Sequence, residues 1–278
     1  MPEDNQSLLK TAYSLVRQQS TDGSWSAFQL RPGGSNHWTT AAALTALGSV
    51  ERRQGTVPRW LQQAQQRGWT RLEQDSIDQP LGFNTVTPTD ADSTTWLCRA
   101  LVQRCFNFKN THQHDHYLAS EKWLKQCLTY IEKHLEPNKN GIKTYIESDQ
   151  ILEFVGQPGI NSSWLGVHHC VGANAMELGK ELQNYLPDIN ANLSRQLASL
   201  EIKNEPFWWT DELIIELLRK KCRQHGQKIK ASSLILRVPY HDDRTGDSTI
   251  YSSQSDIEGG TCGDNGIFSD VLSLLLLN

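Results

Sequence analysis

The sequence predicts an all-α fold, a single (α/α) barrel of degenerate helix-pair repeats, and three observations carry that reading. Apolar residues recur at three- and four-residue steps along most of the 278 residues. A turn containing glycine and an aromatic residue precedes several of these periodic segments. Only two stretches show β-branched alternation instead.

In chain order the periodicity predicts helices over Leu8–Val16, Thr40–Leu47, Val57–Ala64, Thr94–Val102, Ala119–Ile131, Trp164–Leu178, Asn190–Leu200, Asp211–Leu218 and Ile267–Leu277. Gln19-Ser-Thr-Asp-Gly23-Ser-Trp25 leads to the segment from Trp38, Leu81-Gly-Phe83 to the one from Asp92, and Asn140-Gly-Ile-Lys-Thr-Tyr145 to the one from Trp164. Pro206-Phe-Trp-Trp209 before Asp211 and Gly259-Gly-Thr-Cys-Gly-Asp264 before Ile267 are fainter copies. About five such repeats imply helix pairs that stack side by side and close on themselves, with the helix after each turn on the inside. Inner helices are expected to start near Thr39, Ser93, Trp164, Asp211 and Ile267. Lys143–Val155 and Ser232–Ser253 read as hairpins or long loops on the rim. No linker composition divides the chain, which reads as one domain over 1–278.

Composition narrows the function. A formal charge of −4, with basic residues scattered, provides no stripe for nucleic acid. The cysteines at 98, 105, 127, 170, 222 and 262 form no CxxC pair, which points to reduced thiols and a cytoplasmic setting rather than a zinc ribbon or disulfide scaffold. The polar start MPEDNQSLLK does not read as a signal peptide, and the apolar run Val271–Leu277 is too short to span a bilayer. A soluble protein, at most in peripheral contact with a membrane, is expected. Oligomeric state is left open.

The stretch with the most chemistry is Pro88-Thr-Asp-Ala-Asp-Ser-Thr-Thr-Trp96, which sets Asp90 and Asp92 at the mouth of an otherwise apolar helix. Neighbouring like charges and apolar surroundings both disfavour ionisation, so at least one carboxyl is expected to stay protonated near neutral pH and to be a proton donor. Helix capping accounts for one of the two acids and not for both. Trp38, Trp96, Tyr145, Trp164 and Trp208 are candidates for π faces lining a cavity. The acidic run Asp242-Asp243-Arg-Thr-Gly-Asp247 lies among turn residues and reads as a solvated loop, as does His112-Gln-His-Asp-His116.

Gln19-x-x-x-Gly23-x-Trp25 resembles the QxxxGxW repeat of the squalene cyclases, and Asp90-Ala-Asp92-Ser-Thr94 resembles the Asp-x-Asp-Asp-Thr signature of class II terpene cyclases. The resemblance implies that Asp92 is the general acid protonating an alkene or epoxide of a linear isoprenoid, with Thr94 on the signature's threonine and Ser93 departing from its fourth acid. In those enzymes a group on the next inner helix hydrogen-bonds the acid. His169-Cys170 resembles the context of one such partner, and Asn174, one turn on, holds the place of another. His168 and His169 flank them. No cofactor or metal is implied, save Mg²⁺ if the substrate is a diphosphate. Many class II cyclases join two barrels, whereas this chain has length for one. A protein prenyltransferase β subunit is also a single barrel, but its zinc ligands are not reproduced around Asp256, Cys262 and Asp264. The alternatives are a non-catalytic toroid that binds an isoprenoid or a protein, and another lyase or transferase using His168 or His169 as base.

Overall fold

The computed structural model describes residues 2–27, 29–30, 33–136, 138, 140–147, 166–167, 169–200, 235–236, 251–252, 256–257, 260–261 and 267–277. Its helices are α1 (Pro2–Arg17), α2 (Asn36–Gln54), α3 (Arg59–Ser76), α4 (Ala91–Asn110), α5 (His114–His134), α6 (His169–Tyr185), α7 (Ala191–Ala198) and α8 (Ile267–Leu277). The expected helix over Asp211–Leu218 lies outside the described residues.

Two kinds of helix follow from two kinds of sequence. Every residue of α2 from His37 to Val50 is buried, as a helix apolar all round must be. Small residues bring its neighbour close: a Cβ added to Gly48 would lie 2.7 Å from the Gln103 Cβ on α4. In α3, by contrast, only a stripe at helical spacing is buried: Leu61, Ala64, Gly68, Trp69 and Leu72. α5 repeats that pattern with Trp123, Leu124, Cys127, Leu128 and Ile131. The inner helices pack in the order α8, α2, α4, α6, while α1 lies against α8 and α2, α3 against α2, α5 against α4 and α7 against α6. This is the inside–outside alternation of an (α/α) barrel. The first and last helices meet at a polar seam, where Ser14 of α1 and Gln18 just beyond its end donate to Asp270 Oδ2 of α8 at 2.7 and 2.9 Å.

The glycine–aromatic turns hold this arrangement. Gln19 Nε2 donates to the carbonyls of Gly23 (2.8 Å) and Ala64 (2.9 Å), and the buried Trp25 indole donates to Leu15 O at 2.8 Å. Gly23 has φ +92°, and a Cβ there would lie 2.5 Å from Arg67 O, so glycine is required on both counts. In the next turn, Trp38 N–H donates to Phe83 O (3.3 Å) and Asp90 N–H to Leu81 O (2.9 Å), clamping the starts of α2 and α4 together. Thr94 Oγ1 adds reciprocal bonds to the Leu81 backbone at 3.1 Å.

Strands are two-residue hairpin pieces: β1 (Gln29–Leu30) with β2 (Gly33–Gly34), β3 (Leu135–Glu136) with β4 (Gly141–Ile142), β5 (Ile235–Leu236) with β6 (Tyr251–Ser252), and β7 (Asp256–Ile257) with β8 (Gly260–Thr261). The pairing of β5 with β6 matches the hairpin reading of Ser232–Ser253. Other boundaries move. The helix expected from Trp164 starts at His169, because Val167 is paired with Lys143 in an antiparallel bridge and so is extended. His114 and His116, read as loop, form the exposed first turn of α5; the left-handed His112 ends the connection before it.

Candidate active site

The two acids divide the work that the sequence left undivided. Asp90 is the N-cap of α4: its Oδ1 accepts from Ser93 N–H at 2.7 Å and its Oδ2 from the Ser93 hydroxyl at 2.8 Å. Asp92 sits in the first turn of α4 and makes no capping bond. Capping thus accounts for Asp90 and not for Asp92, because the extended residue that precedes the first turn is Asp90 (φ −139°, ψ 160°).

Their protonation differs accordingly. Burial pushes Asp90 up to about 7, with the Ser93 N–H and hydroxyl holding it back. Burial pushes Asp92 well above the carboxylate range, and the charge of Asp90 adds to it; the nearby polar N–H groups of the Trp38 and Asn174 side chains pull the other way. Of the two acids, Asp92 is the one pushed further toward its protonated form. Its Oδ1 is buried with no hydrogen-bond partner, yet the residue retains part of its accessible surface.

Groups from successive repeats converge on this carboxyl. Trp38 comes from α2 and Asn174 from α6, both buried. Tyr145 follows β4 and is buried; burial raises its pKa, and the charges of Asp90, Tyr130 and Asp92 add to the effect. Its neighbour Thr144 accepts a 3.0 Å bond from Ala91 N–H, so the third turn clamps the start of α4 as the second does. Tyr130 of α5 is held by a 2.8 Å bond from its hydroxyl to Thr89 O.

Aromatic faces gather on one side. Trp38 stacks on Phe268 of α8 with ring centres 4.8 Å apart and on Phe83 at 6.4 Å, and Phe268 meets Trp96 edge-to-face at 6.0 Å. Trp96 is buried among them, with the Arg99 guanidinium 4.9 Å from its ring centre. Phe83 and Phe268 were not singled out in the sequence, although Phe83 belongs to the Leu81-Gly-Phe83 turn.

The sequence reading also missed Arg99. It is buried on α4, donates to Asn174 Oδ1 at 2.8 Å, and is gripped by Glu181, whose Oε1 accepts from Nη2 at 2.7 Å while both carboxylate oxygens lie 3.2 Å from Nε. The available signal was a lone arginine in the apolar run Leu97–Val102, which needs a buried anion, and Glu181 one helical face along α6 from Asn174.

Trp164, Trp208 and His168 lie outside the described residues, as do Asp242–Asp247, Cys262 and Asp264. So do the side chains of His169 and Cys170, whose backbone opens α6. Among the described residues no group of three His, Cys, Asp or Glu is placed to hold a metal ion, and no helix is long and apolar enough to cross a membrane.

No protein-family model matches the chain, and no curated protein matches it in sequence. Solved structures do match. A variant of the type II terpene cyclase MstE from Scytonema, in complex with merosterolic acid A as product, is 16% identical over 100% of this chain and 98% of that one, with a TM-score of 0.65. A second MstE variant, in complex with geranylgeranyl dihydroxybenzoate as substrate, is 17% identical with the same coverage, 100% and 98%, and a TM-score of 0.64. A protein from Actinoplanes is 14% identical over 98% of each chain, also at 0.64. With the match running nearly end to end, the (α/α) barrel of this chain is the fold of the type II terpene cyclases.

Proposed function

We propose that the protein is a class II terpene cyclase in which Asp92 protonates a linear isoprenoid chain. The observation that carries the reading is the desolvated Asp92 carboxyl, pushed toward its protonated form, with a buried unpartnered Oδ1 and bordered by Asp90, Trp38 and Asn174. In the first step the Asp92 O–H transfers its proton to the CH carbon of the terminal trisubstituted alkene, or to an epoxide oxygen. The resulting tertiary cation is attacked by the next double bond, each ring closure passing the charge along the chain until a proton is lost. The Asp92 carboxylate left behind faces the Trp38 and Asn174 donors, which favour the charged form and so assist the transfer. The Trp38–Phe268–Trp96 cluster supplies π faces to the developing cation. Water must stay out, because it would quench the cation.

One barrel over residues 1–278 suffices for this reading, since the matched cyclase chains are themselves covered to 98%. The complexes with geranylgeranyl dihydroxybenzoate as substrate and merosterolic acid A as product support a substrate of the same kind here, a polyprenyl chain on an aromatic or other polar head. The reaction calls for no metal, and a diphosphate head would bring its own Mg²⁺.

The test is product analysis after incubating wild type and Asp92→Asn with linear polyprenyl substrates: free, diphosphorylated, epoxidised and arene-linked. Cyclic product from wild type and a drop of at least ~10²-fold in the variant are expected. Full activity in folded Asp92→Asn removes the acid from the scheme. A wild type inert on every substrate leaves the barrel as a binding module.

A further inference from the structure

We propose that Arg99 is a positioning residue that turns the Asn174 amide so that its N–H group, rather than its carbonyl, faces the Asp92 carboxyl. This rests on the reading of Asp92 as the reactive acid, and the geometry comes from three side chains on two helices. An asparagine presents either an oxygen or an NH₂ to a neighbour, and the two faces have nearly the same shape. Arg99 removes the choice. Its Nη1 can only donate, and the 2.8 Å bond commits Asn174 Oδ1 to it. Nδ2 is thereby directed to the other side, where it is buried without a hydrogen-bond partner, as is Asp92 Oδ1. With Asn174 near enough to favour the charged form of Asp92, the orphaned donor and the orphaned acceptor form a pair poised to close. When the proton leaves Asp92 the acceptor gains a full charge, and a preoriented N–H meets it without rearrangement.

Arg99 is itself held. Glu181 contacts Nε and Nη2, and the face of Trp96 lies under the guanidinium at 4.9 Å. Because Glu181 balances the positive charge, Arg99 acts through Asn174 and not as a bare cation near the acid. The other titratable groups facing Asp92 are Asp90 at the start of α4 and Tyr145 after β4. Trp38 on α2 adds a second polar donor, and α8 presents the Phe268 ring to Trp38.

The test is a cycle of substitutions read by carbon-13 NMR titration of the Asp92 carboxyl and by kcat and KM. Arg99→Met alone would strand the half-buried Glu181 carboxylate, so Arg99→Met is combined with Glu181→Met, removing both members of the ion pair. In the wild-type background the pair of substitutions is expected to move the Asp92 titration to higher pH by roughly one unit and to lower kcat ~10-fold, with KM held within about twofold. In an Asn174→Ala background the same pair is expected to change neither quantity. Arg99→Lys with Glu181 intact, which keeps a donor for Asn174 Oδ1, should restore most of the titration. Equal effects in both backgrounds, or an unmoved Asp92 titration in the first, overturn the proposal. The NMR arm does not need turnover, so a protein without cyclase activity still decides the role of Arg99.

Discussion

Ser93 bonds both oxygens of the Asp90 carboxylate, its N–H to Oδ1 at 2.7 Å and its hydroxyl to Oδ2 at 2.8 Å. The residue that departs from the class II signature thus has a definite task. It stabilises the charged form of Asp90, and that charge in turn favours the protonated form of Asp92.

Ser93→Ala is expected to leave Asp90 Oδ2 without its hydroxyl donor in a buried place, costing about 1–2 kcal/mol of stability. With one lowering contact gone, Asp90 should also titrate at higher pH. Urea denaturation and NMR titration of the Asp90 carboxyl measure the two effects. An unchanged Asp90 titration would mean that the hydroxyl is a spectator.

The two acids should separate in stability as they do in geometry. Asp90→Ala removes the cap of α4 and is expected to cost ~1–2 kcal/mol. Asp92→Asn replaces a neutral carboxyl by a neutral amide, caps nothing, and should change stability by less than about 1 kcal/mol. Chemical denaturation of both variants at pH 7 checks the order; a larger loss in Asp92→Asn contradicts the assignment of the cap to Asp90.

Stability should fall as pH rises from about 4 to 7 because of Asp90, whose carboxyl moves from 3.8 to about 7 on folding. Between those values the folded state holds a proton that the unfolded state has lost, so ∂ΔG/∂pH is negative there and the contribution is gone above the folded value. The total is on the order of a few kcal/mol. His37 and His134, both lowered chiefly by burial, slope the other way, since they resist the charge they would gain below 6.5. The difference between wild type and Asp90→Asn therefore isolates the acid. Parallel curves for the two across pH 4–8 count against the raised Asp90.

Gly23→Ala is expected to destabilise the protein by ~1–3 kcal/mol, because the backbone is left-handed there and the new Cβ meets the Arg67 carbonyl at 2.5 Å. Gly55, with φ +70° but open space around it, isolates the conformational part, and Gly55→Ala should cost only about 1 kcal/mol. Thermal unfolding followed by helical circular dichroism compares them. Equal losses would show that the contact between Gly23 and α3 carries no weight.

What the sequence by itself determined are the features written in local periodicity and turn chemistry. All-round apolar runs made α2 and α4 inner helices, and stripes at three- and four-residue steps made α3 and α5 outer ones, because the buried fraction of a helix surface is set by its own residues. Gln19, Gly23 and Trp25 act within a single turn and its adjoining helices, so their spacing was legible. The pair Asp90–Asp92 was legible as unusual for the same reason. Only the tertiary structure decided which acid caps, since that depends on where the backbone stops being extended. It alone brought Trp38, Tyr145 and Asn174 from separate repeats to Asp92, and joined Arg99 to Glu181 across 82 positions of sequence. Helix boundaries followed the same division: Val167 left the helical pattern to pair with Lys143, a contact that no window of neighbouring residues contains. Local patterns choose which face of an element is buried; the register between elements, which sets the surroundings of Asp92, arises only when those faces pack.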